Sequence, residues 1–209
     1  MSNRVIDNVR RSLGRTIQSP LEPRPDIYPP RQPESTDSEM EHFLREIEKL
    51  SGVSRRLAAA DVRASLASLV EEQEIRKATL WATPLLKQLS IAEELGALGV
   101  EIIPPNVDKH RIAECDLGVT EVDFILPETG TLVLRSSAEK PRAVSLAPRV
   151  HLAIVTPTAL RADMHEVFAE ARDSNYLVFI TGPSRTADIE LTVTLGVHGP
   201  RNLYVWMME

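Results

Sequence analysis

The chain is organised around a stretch near its carboxyl end, which reads Thr181-Gly182-Pro183-Ser184-Arg185-Thr186-Ala187-Asp188-Ile189-Glu190. An apolar run at residues 176–180 leads into it, and the Gly-Pro pair ends that run, which is typical of a chain leaving the carboxyl end of a β-strand. Ligands collect at that edge of open α/β sheets because free backbone N–H groups face outward there. The stretch therefore predicts a ligand loop at a sheet edge. The alternative is a structural turn whose hydroxyls cap the backbone and whose carboxylates face water.

The loop offers these candidate ligand-binding residues: Gly182, Ser184, Arg185, Thr186 and Asp188. The glycine allows close approach of the backbone to a ligand, the hydroxyls donate hydrogen bonds, and the arginine provides a planar fork suited to a carboxylate or phosphate. We therefore expect a small anionic ligand. The alternative is that Arg185 pairs inside the loop with Asp188 or Glu190.

A second candidate region lies upstream, where two β-like runs at residues 122–126 and 131–135 flank a short turn containing glycine. This pattern predicts a hairpin, and Gly130 and Thr131 are candidate ligand-binding residues beside its turn. Glu128 is the candidate acid, base or carboxylate nucleophile, because a turn can lift a carboxylate into a partly desolvated cleft and raise its pKa. A structural carboxylate that accepts backbone N–H groups of its own turn is the alternative.

A third candidate region is the run Gly196-Val197-His198-Gly199-Pro200. It is typical of a tight turn that presents His198, and imidazole is the side chain whose ordinary pKa lies near neutrality. We regard His198 as a second catalytic candidate. The alternative is that it is an exposed histidine of the turn without a function. We expect four segments to converge at one sheet edge, namely residues 128–131, 145–149, 182–190 and 196–200.

Working outward from these regions, strand-like and helix-like segments alternate. Helices are predicted at residues 35–50, 61–73, 83–95 and 159–172, and strands at residues 77–82, 100–103 and 150–155. Apolar alternation at residues 191–195 and 203–207 predicts a closing hairpin. Strands separated by helices indicate an α/β fold with a mostly parallel three-layer sheet.

The amino-terminal segment differs in composition from the rest of the chain. Residues 3–15 have an apolar stripe at helical spacing, and residues 19–34 are rich in proline, which excludes regular helix and sheet. We expect residues 1–34 to form a helix and an extended linker, and residues 35–209 to form the α/β domain. The linker either lets the helix reach a partner surface or belongs to a disordered tail.

Composition excludes several function classes. The 209 residues carry a net charge of −6, which gives no general attraction for nucleic acid or anionic lipid. No apolar stretch is long enough to span a membrane and the amino terminus is polar, so we expect a cytoplasmic protein. The single cysteine, Cys115, cannot form an internal disulfide or a four-thiolate cluster, and no histidine spacing indicates a metal site. We expect Cys115 to pack in the core.

Three motifs in order resemble one known family. The pattern TGPSRTADIE…GVHGP, together with Gly118-Val119-Thr120 and Glu128-Thr129-Gly130-Thr131-Leu132-Val133-Leu134, is similar to the LutC/YkgG family of lactate-utilization proteins, also called the LUD domain. The resemblance runs from Trp81 to the carboxyl terminus. It implies a Rossmann-like sheet of the NagB/RpiA/CoA-transferase-like type, which periodicity does not distinguish from other doubly wound sheets.

The resemblance also implies a functional setting. Such a protein takes part in the oxidation of L-lactate to pyruvate together with iron–sulfur partner proteins. This chain has neither the thiolates for a cluster nor a dinucleotide fingerprint, so no cofactor is identified in it and the clusters are expected on the partners. We expect a non-redox subunit that binds a small anion or a partner, with self-association left open. The rivals are an autonomous enzyme acting on a sugar phosphate, thioester or folate-like substrate through Glu128, and an assembly module that docks by its amino-terminal arm.

Overall fold

The computed structural model describes residues 4–15, 33–186, 194–196 and 198–209. The chain divides into two compact units, Met1–Pro30 and Arg31–Glu209. In the first unit, the described residues form an amphipathic helix whose apolar side chains are exposed. The division lies close to the boundary predicted at residue 34, which stays a prediction.

The described helices and strands have the following bounds. The helices are α1 (Arg4–Ser12), α2 (Thr36–Lys49), α3 (Val62–Glu72), α4 (Pro84–Gln88), α5 (Ile91–Ala97), α6 (Lys109–Ala113), α7 (Ala143–Leu146) and α8 (Met164–Glu170). The strands are β1 (Val53–Leu57), β2 (Lys77–Leu80), β3 (Glu101–Ile103), β4 (Leu117–Glu121), β5 (Phe124–Leu126), β6 (Thr131–Arg135), β7 (Val150–Val155), β8 (Leu177–Ile180), β9 (Arg185–Thr186), β10 (Thr194–Leu195) and β11 (Asn202–Met208).

The main body is a six-stranded parallel sheet in the order β1-β11-β7-β4-β2-β3. Helices lie on both faces. Tyr204 of β11 donates a hydrogen bond to Glu72 at the end of α3 on one face. Gly118 of β4 is in register with His151 and Leu203, which lie on the sheet face opposite to that of Tyr204. Helix α7 packs against Gly118 on this second face. The predicted three-layer α/β architecture is confirmed.

Gly118 shows how closely this sheet is packed. A Cβ atom at this position would overlap the carbonyl oxygen of Val144 in α7. Only glycine allows that approach, so one of the sequence motifs that carries the family resemblance has a packing role.

Helix α2 anchors a second, smaller sheet onto this body. Its stripe of Met40, Phe43, Leu44 and Ile47 is buried, and each such side chain contributes about 1.5–3 kcal/mol on burial. The Ser35 hydroxyl caps the helix by accepting a hydrogen bond from the backbone N–H of Ser38. The helix ends at Lys49, close to the predicted end.

The smaller sheet, called the small sheet below, is antiparallel and has the order β5-β6-β8. Strands β5 and β6 form the predicted hairpin around a 3-10 turn at Pro127–Thr129. Strand β8 pairs with β6 in this sheet. The loop at residues 181–186 therefore leaves a strand of an antiparallel sheet. The expectation that it lies at the edge of the parallel sheet was wrong.

Three other predictions are corrected by the structure. The closing hairpin is wrong because β11 enters the parallel sheet between β1 and β7, while β10 pairs with β9. The predicted helix over residues 83–95 is two helices, since Ser90 adopts a left-handed conformation with φ of 51° between them. The helix predicted from residue 159 begins at Met164, because Pro157–Ala159 forms a 3-10 turn and Asp163 caps the helix.

Candidate functional site

The small sheet has two ends with different side chains. Strands β6 and β8 run in opposite directions, with Leu132 opposite Ile180 and Arg135 opposite Leu177. Thr131 and Thr181 therefore lie at one end, called the hydroxyl end below. Ser136 and Tyr176 lie at the other end, where the backbone N–H of Ser136 donates to the carbonyl of Tyr176, and this is called the arginine end because Arg142 packs there.

A row of three threonine hydroxyls marks the hydroxyl end. The Thr131 Oγ1 lies 2.7 Å from the Oγ1 of Thr129 and 2.8 Å from the Oγ1 of Thr181. Thr131 is buried, while the two outer threonines are exposed. The predicted ligand residue Thr131 is thus the centre of a hydrogen-bonded row whose ends reach the solvent.

A cleft of about 510 Å³ opens beside this row. Its apolar side is formed by Leu126, Met164 and Phe179, and its polar side by the threonine row and Glu128. The beginning of α8, at residues 162–165, closes it. This volume and this mixture of apolar wall and a few polar groups are typical of small-molecule sites.

Glu128 lies in the turn beside the cleft, as predicted, but it is exposed. The partly desolvated setting on which its predicted catalytic role rests is not present in this structure. Asp163 also lines the cleft. Hydrogen bonds from the backbone N–H groups of Glu166 and His165 lower its pKa, so it is a carboxylate at neutral pH. Asp163 therefore adds a second carboxyl group to the cleft beside Glu128.

Both predicted glycines of the hydroxyl end are pressed against α2. Gly130 has φ of 60°, and a Cβ there would lie 2.9 Å from the Cβ of Glu46 and 3.0 Å from the backbone N of Ile47. Gly182 has φ of 88°, and its Cβ would lie 3.0 Å from the Cβ of Leu50. Their conformational freedom therefore serves the docking of two turns onto the end of a helix.

Arg185 is also turned towards that helix. Its guanidinium donates to the backbone carbonyl of Leu50 and, over 3.0 Å, to the Ser51 hydroxyl. A cation at a helix carboxyl terminus satisfies the last carbonyls and interacts favourably with the helix dipole. The alternative partners considered from the sequence, Asp188 and Glu190, lie outside the described residues. An anion-binding role for Arg185 stays a prediction, and the observed contacts are those of a helix cap.

Among the described residues, the remaining candidates Ser184, Thr186 and His198 lie in a separate turn. The backbone of Ser184 donates to the carbonyl of Pro200 and accepts from the N–H of Gly196. Thr186 pairs with Thr194 through the backbone. His198 is exposed in this turn. Asp188 lies outside the described residues.

The predicted convergence of four segments is met only in part. Residues 182–186 lie beside residues 194–196 and 199–200, and Thr181 joins the turn at residues 128–131, but Ser184 and His198 do not line the cleft. Sequence reasoning missed the contribution of α8 to the cleft. Recognising Asp163 as the helix cap, in place of a start at residue 159, would have pointed to it.

Two buried groups have no access to the cleft. His151 accepts or donates a 2.9 Å hydrogen bond with the Thr120 hydroxyl, and its complete burial lowers its pKa to about 3. Cys115 is buried as predicted, and burial raises the pKa of its thiol to about 11. Both are therefore neutral at pH 7. Among the described residues, no group of three or more His, Cys, Asp or Glu side chains has a metal-binding arrangement.

The comparison with known families is decisive for classification. The model of the LUD domain matches residues 40–208. The chain belongs to the LUD domain family. The family predicted from the three motifs is thereby confirmed. In the described part of this LUD protein, no helix has the length and apolar character needed to cross a membrane.

Two relatives are similar to this LUD protein over more than nine-tenths of its length. Lactate utilization protein C of Halalkalibacterium halodurans is 29% identical over 212 residues, covering 93% of this chain and 92% of the relative. The protein of the same name from Shouchella clausii is 28% identical over 210 residues, with the same coverage of 93% and 92%. A solved structure of a DUF162 family protein from Deinococcus radiodurans has a TM-score of 0.62 and 21% identity, covering 85% of this chain and 100% of that chain. That likeness supports the fold.

Proposed function

We propose that this protein is a lactate-utilization component that works with iron–sulfur partner proteins in the oxidation of L-lactate to pyruvate. The observation that carries the proposal is the similarity to proteins named Lactate utilization protein C over more than nine-tenths of both chains. The match includes the family motifs that form the turns at residues 128–131 and 181–186, and it covers the main sheet as well.

The proposed role is that of a non-redox subunit that binds a small anion or organises the assembly. Oxidation of lactate to pyruvate removes two protons and two electrons, so an electron acceptor has to stand close to the substrate. A single cysteine, which is buried in this protein, cannot supply the thiolates of an ordinary iron–sulfur cluster. The proposal therefore assigns electron acceptance to the partners.

Reconstitution tests this proposal directly. The protein is purified from its native host under anaerobic conditions, and co-purifying proteins are analysed for iron and acid-labile sulfide. Lactate-dependent reduction of an artificial electron acceptor is then measured for the partner proteins with and without this chain. We expect association with cluster-containing proteins and a lower rate when the chain is omitted. An unchanged rate without the chain, or failure of any cluster protein to associate, contradicts the proposal.

The cleft at the hydroxyl end favours a second candidate function, an enzyme acting by itself on a small substrate through Glu128. The specific observation is the meeting of Glu128 with the threonine row in a cleft of about 510 Å³. Sugar phosphates, thioesters and folate-like compounds are assayed with the purified protein and with Glu128→Gln. Turnover that Glu128→Gln abolishes would favour this function, and its absence with every substrate favours the non-redox subunit.

A further inference from the structure

The arginine end of the small sheet holds a cation whose setting differs from that of its neighbours. The guanidinium of Arg142 lies 4.4 Å from the centre of the Tyr176 ring, and both side chains are exposed. Among the described residues, no carboxylate lies within ion-pair distance of Arg142, whereas Arg135 pairs with Asp123 at 3.0 Å. The positive charge of Arg142 is thus available to a ligand.

Nearby cations make the difference clearer. Lys140 shares the carboxylate of Asp123, at 3.1 Å, and Arg161 holds Glu170 through two hydrogen bonds. The Arg161–Glu170 pair is neutral, whereas Arg135 and Lys140 share one carboxylate and keep one net positive charge between them. The carboxylate in the same loop, Glu139, accepts a hydrogen bond from Ser137 in its own turn. Arg142 is therefore the cation of this loop whose charge no described carboxylate balances.

A groove of about 530 Å³ runs beside Arg142. Its walls include Ser136, Pro141, Asn175 and Tyr176. The groove is broad and open, so a ligand held there keeps one side in water. Such a site favours small polar ligands of modest affinity over large apolar ones.

Two further polar residues line this groove. The Ser136 hydroxyl oxygen is shielded from solvent and has no hydrogen-bond partner among the described residues. Because solvent does not reach this oxygen, a ligand in the groove does not contact it either. The Asn175 side chain is exposed at the same wall and can both donate and accept hydrogen bonds.

We propose that this groove binds a small carboxylic acid with an oxygen on the carbon next to the carboxylate, as in 2-hydroxy and 2-oxo acids. The Arg142 fork binds the two carboxylate oxygens, and the exposed Asn175 amide binds the third oxygen. Stacking on Tyr176 leaves the edge of the guanidinium open and restricts its rotamers before binding. A phosphate dianion fits less well, because Arg142 is the only cation among the described residues that line the groove. This assignment deepens the small-anion part of the proposed function and rests on it.

Calorimetric titration of the purified full chain tests the site. The ligands are L-lactate, pyruvate, propionate and inorganic phosphate, at constant pH and ionic strength. We expect lactate or pyruvate to bind at least about tenfold more tightly than propionate, which lacks the third oxygen. Tighter binding of phosphate than of both acids, equal binding of propionate, or no binding of lactate and pyruvate overturns the assignment.

Matched variants locate the binding. Arg142→Gln is compared with Arg45→Gln, which removes an equal charge from an exposed position on α2. We expect Arg142→Gln to weaken binding at least about tenfold and Arg142→Lys to restore part of it, since an ammonium cannot form the bidentate pair. Asn175→Ala is expected to reduce the preference for lactate over propionate, because it removes the amide that binds the third oxygen. Equal losses in Arg142→Gln and Arg45→Gln would contradict the site, because they would show a general charge effect.

The same variants separate failure of the site from failure of the proposed function. In the reconstituted system, Arg142→Gln is expected to raise the lactate concentration needed for half-maximal acceptor reduction. If lactate binds through Arg142 while the reconstituted rate does not depend on this chain, the site stands and the lactate-utilization role fails. If the rate depends on the chain but titration detects no binding of either acid, the role stands and the site fails.

Discussion

The two ends of the small sheet each carry an arginine, and their surroundings differ. At the hydroxyl end, Arg185 donates to the Leu50 carbonyl and to the Ser51 hydroxyl, and the neighbouring turns press on α2. At the arginine end, Arg142 stacks on Tyr176 and no described carboxylate balances it. Arg185 donates hydrogen bonds to the carboxyl end of α2, whereas Arg142 lines an open groove.

The comparison shows that residue type and position in a loop are not enough to identify a ligand site. The loop at residues 181–186 has the glycine, hydroxyls and arginine expected of an anion loop, yet the described contacts are those of a turn docked on a helix. The loop at residues 136–142 has a plainer sequence. It holds an arginine that no described carboxylate contacts, and that arginine stacks on Tyr176 because the end of β6 lies beside the start of β8.

The largest expected effect tests the docking of the hydroxyl end. Gly130→Ala places a Cβ in a left-handed conformation, which costs about 1–3 kcal/mol, and drives it against the backbone of α2, which costs about 1–3 kcal/mol more. Chemical denaturation measures the loss. Gly96→Ala in α5 is the control, because a Cβ there meets nothing within 4 Å and alanine favours helix. Equal stability of the two variants would show that the turn is not pressed on α2.

The second prediction concerns the pH dependence of the free energy of unfolding, which the buried His151 of the core affects and neither arginine does. Burial lowers the pKa of His151 in the folded protein to about 3, whereas the pKa of a histidine in the unfolded chain is about 6.5. Between these two pH values, the unfolded chain binds a proton that the folded protein does not bind. Above pH 6.5, His151 is neutral in both states and does not lower the free energy of unfolding. On acidification from pH 6.5 towards pH 3, the free energy of unfolding falls by up to about 1.4 kcal/mol per pH unit because of His151.

His151→Gln keeps a hydrogen-bonding group near Thr120 and cannot titrate. We expect its stability to depend less on pH than that of the parent between pH 6.5 and 4, as measured by denaturation at each pH. Parallel pH profiles for the two proteins would assign the acid response to other groups, such as the carboxylates of the cleft.

A smaller effect tests the cap formed by Arg185. Arg185→Ala removes a cation from the carboxyl end of α2 and is expected to cost about 0.3–1 kcal/mol of stability. It should leave the binding of lactate and pyruvate unchanged, in contrast to Arg142→Gln. Loss of binding in Arg185→Ala without loss of stability would reverse the roles assigned to the two arginines.

The smallest expected effect concerns the amino-terminal unit. Removal of residues 1–34 is expected to leave the thermal transition of the α/β unit nearly unchanged, since the core of buried residues begins with Met40 in α2. Calorimetry of the truncated chain checks this. A lost or broadened transition would show that the segment belongs to the folded core and that the predicted boundary is misplaced.

Local patterns in the sequence determined much of this protein. The alternation of apolar strands and amphipathic helices predicted the α/β sheet, and the turn with glycine predicted the hairpin of β5 and β6, because these depend on neighbours in the chain. Three ordered motifs identified the LUD family. The single cysteine excluded an ordinary cluster in this chain.

Tertiary structure alone decided which side chains meet. The pairing of β8 with β6, the entry of β11 between β1 and β7, and the approach of α8 to the cleft join segments far apart in sequence, and no local signal encodes such pairing. The partner of each arginine is decided in the same way. Arg185 reaches a helix end 135 residues away, whereas Arg142 meets the Tyr176 ring because antiparallel pairing brings the end of β6 to the start of β8. The sequence supplies the chemical groups, and long-range packing determines that Arg185 contacts a helix end while Arg142 lines a groove.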